Sequence, residues 1–234
     1  MIAAIAALIF NIQYSRFNQF SIEQISPTPT VTVRKSFVLL DVPFTSQAPF
    51  GEWGDPRHQD GCEEASALML KCSMFNDQCL IKDGIIDKNY AKREIEGIWE
   101  WEEENYGSGV DTSAEDTAER IIKNYFKFDG YMVTLLHGYE EIRDELAKGR
   151  IVIVPVDGRG LNPNYTAPGP ERHMILIRGY NDETGEFITN DPGTRKGEKY
   201  RYKYETLFNA IRDYPTGDHE PITERKKVMI ALGK

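Results

Sequence analysis

The sequence predicts an α+β fold in which an N-terminal helical part packs on a C-terminal antiparallel β-sheet, with a cleft between them. Three observations predict it. Helical apolar spacing dominates from residue 62 to about 125, β-branched apolar runs dominate after 150, and two of those runs are separated by a short turn of the kind that closes a hairpin. Strands that follow helices, instead of alternating with them, argue against a doubly wound parallel sheet.

The chain has 234 residues, 40% of them hydrophobic, enough for one substantial core. Residues 1–10, Met1-Ile2-Ala3-Ala4-Ile5-Ala6-Ala7-Leu8-Ile9-Phe10, are unbroken apolar residues. The run is far short of the roughly 20 residues that span a bilayer, and it lacks a basic flank. It is expected to be a truncated signal or anchor, which places the protein outside the cell or attached to a membrane on the extracellular side. A cytoplasmic protein with a buried N-terminal segment is the alternative. The Pro/Thr stretch Ser26-Pro27-Thr28-Pro29-Thr30 favours an extended linker. The division is therefore 1–30 for segment and linker, and 31–234 for the folded domain.

Within that domain Ser36–Val42 reads as a strand and Val42–Pro49 as a turn fixed by two prolines. A helix is expected from Cys62 to Phe75, with Ala65, Leu68, Met69 and Cys72 on one face. A second is expected over Asn89–Asn105. A third opens at a capping-box pattern, Ser113 with Asp116, and buries Ala118, Ile121, Ile122 and Tyr125. Then come a strand at Tyr131–Leu136, a helix at Tyr139–Lys148 stopped by Gly149, and a fully apolar strand at Ile151–Val156. His173–Tyr180 and Glu186–Thr189 form the expected hairpin, followed by strands at Tyr200–Tyr204 and Val228–Leu232.

A formal net charge of −9 argues against nucleic acid, whose phosphates need clustered Lys and Arg. The three cysteines are Cys62, Cys72 and Cys79. Cys72 and Cys79 can pair in an oxidising compartment, leaving Cys62 free, or both can be buried and reduced. No CxxC pair, HExxH, EF-hand or phosphate loop occurs, so neither metal nor cofactor is expected.

Cys62 follows Gly61 at a predicted helix start. Unpaired N–H groups and the positive end of the helix dipole favour a thiolate there. His173 opens an apolar strand, so its imidazole can project from the sheet edge. Asp191 lies eighteen residues on, one hairpin's length, and can return beside it. Asn190 competes for that place. A cysteine, a histidine and a carboxylate or amide, in that order, are the parts of a thiol nucleophile, its proton acceptor and an orienting group.

Four segments, Val42-Pro43-Phe44-Thr45-Ser46-Gln47, Gly61-Cys62-Glu63-Glu64-Ala65-Ser66, Arg172-His173-Met174-Ile175 and Asn190-Asp191-Pro192-Gly193, resemble papain-like cysteine peptidases. The resemblance is to the bacteriocin-leader-processing (double-glycine) peptidases, family thirty-nine, and their bacterial relatives. It implies a hydrolase of peptide or isopeptide bonds acting on a peptide or protein substrate through a thioester acyl-enzyme. Cys62 would be the nucleophile, His173 the base, Asp191 the orienting residue, and Gln47 the oxyanion donor, with Gln59 as the alternate donor. An acyltransferase using the same residues, or a non-catalytic module binding peptide or cell wall, are the alternatives. Two departures stand out. Relatives often carry glycine after the cysteine where this chain has Glu63 and Glu64, both expected to point away from the sulfur. The chain also lacks the transporter parts of the leader-processing enzymes. The Gly- and Pro-rich loop 157–164 is expected to act as a lid over the site, and Trp53, Trp99, Trp101 and the tyrosines of 200–204 (Tyr200, Tyr202 and Tyr204) are candidate cleft aromatics.

Overall fold

A computed structural model describes residues 34–75 and 79–233. The apolar segment and linker of residues 1–30 lie outside the described residues. The strands are β1 (Phe37–Leu39), β2 (Ile81–Lys82), β3 (Ile85–Ile86), β4 (Tyr131–Leu135), β5 (Ile151–Val156), β6 (His173–Asn181), β7 (Glu186–Asn190), β8 (Tyr200–Lys203) and β9 (Val228–Leu232). The helices are α1 (Pro56–Gln59), α2 (Cys62–Met74), α3 (Lys88–Tyr106), α4 (Ala114–Asp116), which runs on as a π-helix over Thr117–Tyr125, α5 (Tyr139–Ala147) and α6 (Tyr204–Ala210).

Among the described residues, the starts of α1, α3 and α4 are each capped by a side chain. Asp87 accepts the N–H groups of Asn89 and Tyr90 to start α3, and Gly107, at φ 83°, ends it in the left-handed region. Ser113 accepts the Asp116 N–H to open α4, as the capping pattern predicts. Cys72 and Cys79 are joined in a disulfide that ties the end of α2 to the chain entering β2, so of the two states open from sequence the paired one is found, and Cys62 is the free cysteine.

The main sheet has the order β4-β9-β5-β6-β7-β8, with β1 also on β6, and its pairings are antiparallel. Alternation along its central strands sends neighbouring residues to two different cores. Ile153, Met174, Leu176 and Ile230 pack with Leu68, Ile95 and Ile121 of the N-terminal helices. Val152, Val154, Ile175, Ile177 and Met229 pack on the other face with Ile142 and Leu146 of α5 and Leu207 of α6.

The fold is α+β, but the expected segregation needs correcting. Helices and strands are interleaved, and helices cover both faces of the sheet. α5 lies between β4 and β5, and α6 between β8 and β9. The reason is that β5 and β6 are apolar on both faces, so one helical layer cannot bury them. The expected membrane anchoring is also corrected: no helix among the described residues is long and apolar enough to cross a membrane.

Candidate functional site

Cys62 begins α2 directly after Gly61. A Cβ at Gly61 would lie 2.4 Å from the Arg57 carbonyl oxygen, so only glycine lets α1 and α2 meet this closely. The turn between these helices is fastened to Gln47. The Gln47 amide donates to the carbonyls of His58 (3.0 Å) and Gln59 (2.8 Å), and His58 Nδ1 donates back to the Gln47 carbonyl at 2.7 Å. Gln47 is in turn held to the loop that follows β7, its N–H donating to the Pro192 carbonyl at 3.0 Å. The segment of residues 50–60, which carries α1, thus returns to Gln47.

The second half of the site comes from the sheet. β7 pairs with β6 only as far as Leu176↔Asn190, so β6 runs on past it through Met174 and His173. The start of α2 packs on that extension, where Ser66 Oγ donates to the Met174 carbonyl at 3.3 Å. Cys62 and His173 consequently line one cleft of about 1200 Å³, together with Gln47, Trp53, Gln59, Asp60, Asp111, Tyr165, Arg172 and Gly193.

His173 Nε2 donates to Asp191 Oδ1 at 2.8 Å. That bond leaves Nδ1 as the lone-pair nitrogen of the neutral ring. Asp191 is fully buried, yet its carboxylate accepts four further bonds: from the Gly193 N–H (3.1 Å), Asn162 Nδ2 (2.9 Å), Tyr165 OH (2.6 Å) and Tyr202 OH (2.6 Å). Burial pushes its pKa upward. The hydrogen bond and charge of His173 and the two tyrosine hydroxyls outweigh burial and hold it below the ordinary carboxylate value. Tyr165 also sets its edge against the His173 ring at 5.5 Å. A Cβ on Gly193 would approach within 2.8 Å of the imidazole, so glycine is required where that loop crosses the ring.

Asn190 is engaged elsewhere. Its amide donates to the carbonyls of Val42 (3.2 Å) and Pro43 (3.1 Å), pinning the segment that leads to Gln47. Pro163 and Asn164 of loop 157–164 line the cleft, and the segment is fastened to Asp191 by Asn162 and, one residue beyond the loop, Tyr165.

The sulfur departs from expectation. Cys62 is 5% exposed, and its thiol donates to Glu63 Oε2 at 2.9 Å, while Tyr214 OH donates to Glu63 Oε1 at 2.6 Å. Glu63 therefore faces the sulfur. No hydrogen bond joins Cys62 to His173 among the described residues, so a continuous Cys-His-Asp triad is not formed. Burial, then the charge and hydrogen bond of Glu63, push the Cys62 thiol well above its ordinary pKa, against a smaller pull from the Met174 N–H. The expected helix-start thiolate is corrected: desolvation and an adjacent carboxylate outweigh half a charge of helix dipole.

Glu64 and Glu102 are buried nearby, and none of their four carboxylate oxygens has a hydrogen-bond partner among the described residues. Of the candidate oxyanion donors, Gln47 has its amide nitrogen committed to two carbonyls, whereas the Gln59 side chain is exposed at the cleft and unbonded among the described residues. A possible metal-ligating trio, Asp55, His58 and Glu96, flanks the α1 turn. Its carboxylates already accept from Arg57, at 2.8 Å for Asp55 and 3.1 Å for Glu96, so a guanidinium stands where a cation would bind. Trp99 is buried in the interior, and Trp53 is the tryptophan that lines the cleft.

Tyr165 and Tyr214 are site residues that sequence reasoning missed. Asn162 lay in the expected lid loop and Tyr202 among the expected cleft tyrosines, but neither was expected to bond Asp191, and Glu63 was expected to point away from the sulfur.

A model of the Peptidase_C39 like family matches residues 39–216. The chain belongs to the C39-like peptidase family. The match spans all four segments that carried the sequence resemblance. Among solved structures, a putative C39-like peptidase from Bacillus anthracis is similar at 14% identity, covering 86% of this chain and 98% of that one, with a TM-score of 0.49. No curated protein matches the chain.

Proposed function

We propose that this C39-like protein is a thiol hydrolase of peptide or isopeptide bonds. The observation that supports it most is the buried His173–Asp191 pair, which opens onto the same cleft as the only free cysteine. Rotation of Sγ–H from Glu63 toward His173 Nδ1 would let the imidazole take the proton as the sulfur attacks a carbonyl carbon. The resulting imidazolium, stabilised by Asp191, then protonates the leaving amine. Water, activated by the same imidazole, hydrolyses the thioester.

The developing oxyanion needs donors. The Cys62 backbone N–H lies in the first turn of α2, where no intrahelical acceptor exists. Gln47 supplies the second donor once one of its carbonyl bonds opens, and Gln59 is the alternate.

A second reading is a peptide-binding module without turnover. It is favoured by the thiol's bond to Glu63 and its raised pKa. Turnover of a mixed peptide library, read by mass spectrometry, separates the two. The hydrolase reading expects cleavage by the wild-type chain and none by Cys62→Ala or His173→Ala, both still folded by circular dichroism. Cleavage that survives Cys62→Ala, or no cleavage by any chain, contradicts it. An added amine captured in the product would mark acyl transfer.

A further inference from the structure

Glu63 is the residue after the candidate nucleophile, and nothing in the hydrolase reading uses it. It is 2% exposed and touches the sulfur at 2.9 Å. Its other oxygen is anchored by Tyr214, 151 residues away in sequence, at 2.6 Å. Both contacts are donors to Glu63, which is the arrangement a carboxylate requires, and no cation pairs with it among the described residues. Two buried donors aimed at one buried carboxylate make a fixed acceptor beside the thiol.

We propose that Glu63 is a positioning residue that holds Cys62 as a resting thiol, competing with His173 for the Sγ–H. The inference rests on the hydrolase reading. Release is a change of hydrogen-bond partner followed by transfer of the proton from sulfur to His173 Nδ1, leaving thiolate and imidazolium. No other reactant is consumed. A substrate carbonyl entering the cleft gains from the thiolate and drives the exchange, so the free enzyme keeps its sulfur quiet.

The charged surroundings give the pH behaviour its sign. Glu63 is faced by Cys62 and Glu64 on α2, by Glu102 of α3, by Asp111, and by Tyr214. Asp111 is itself paired with Arg172 at 3.3 Å and His219 at 2.7 Å. Burial, then the charge of Asp111, raise Glu63 to about 7. Above that pH Glu63 is anionic, accepts Sγ–H and opposes a second negative charge on sulfur. Below it Glu63 is neutral and the opposition falls.

The test is the rate of alkylation of Cys62 by iodoacetamide as a function of pH, in substrate-free protein, with peptide turnover measured alongside. Glu63→Gln removes the charge and keeps the shape. It is expected to raise the rate at pH 7.5 by roughly tenfold or more, the equivalent of one unit in thiol pKa. Tyr214→Phe does not touch the sulfur but leaves the carboxylate easier to protonate, so it should shift the profile the same way by less. An unchanged or slower rate in Glu63→Gln overturns the proposal. Should Glu63→Gln fail to fold, the absence of any acceleration in Tyr214→Phe overturns it instead. His173→Ala separates the two readings. Lost turnover in His173→Ala, with an unmoved Glu63→Gln profile, sinks the Glu63 role alone. Retained turnover in His173→Ala, with acceleration in Glu63→Gln, sinks the hydrolase reading and leaves the thiol-holding role standing.

Discussion

Tyr202 and Tyr165 both donate to a single oxygen of Asp191, each at 2.6 Å, while His173 holds the other at 2.8 Å. The pair of tyrosines comes from a strand and from the loop beyond β5, so the carboxylate is locked from two sides of the fold. A buried anion with five donors keeps one orientation, and the imidazole it carries keeps one tautomer.

Asp191→Asn tests that lock. The amide presents N–H groups to donors and no longer stabilises an imidazolium. The expected result is a fall in kcat of about 10²–10⁴-fold with KM little changed. Steady-state kinetics on a cleaved peptide check it, and a loss confined to KM would contradict the orienting role.

The orphaned carboxylates of Glu64 and Glu102 set a pH dependence of stability. Burial first, then neighbouring carboxylates, raise both above the ordinary value, Glu102 to about 8. A carboxyl raised in the folded state binds more protons folded than unfolded. Its effect is favourable below the unfolded value near 4.5 and is lost as pH rises through 8. Melting temperature should therefore fall between pH 5 and pH 9, and Glu102→Gln should flatten that fall and melt higher than wild type at pH 9. Parallel melting curves for the two proteins would contradict this.

The Cys72–Cys79 disulfide closes a short loop, with a sequence separation of 7. Chain entropy assigns such a loop about 2 kcal/mol. The double variant Cys72→Ser, Cys79→Ser should lose about that much in urea unfolding, with Cys62 alkylation unaltered in the folded protein. Thiol titration in denaturant should find one thiol per chain without reductant and three with it. Three thiols in both conditions would show the bond absent.

Much of this architecture was legible from periodicity. α2, α3, the helix after Ser113, and β4 through β9 fall within a residue or two of their expected places, because each buries a face large enough to impose its period. α6 was missed since Tyr204 continues directly from β8 with no Gly or Pro between them. The layer to which α5 belongs was not legible either, because a strand apolar on both faces does not say which helix covers which.

At the site, Asn190 and Asp191 stood as neighbours with one role between them. Strand alternation does not choose, because β7 ends at Asn190 and Asp191 lies beyond the ladder. The direction of Glu63 was beyond local reasoning. Successive helix positions differ by about 100°, and what turns Glu63 to the sulfur is Tyr214, from a segment the helix pattern knows nothing about.

The most direct test of the account is covalent capture at Cys62. A peptide carrying an electrophilic carbonyl or vinyl sulfone at its C-terminus, incubated with the full chain, should add one mass equivalent at Cys62, and this addition should be lost in His173→Ala. Labelling that is absent from Cys62, or that proceeds equally well without His173, would contradict a thiol hydrolase built on this pair.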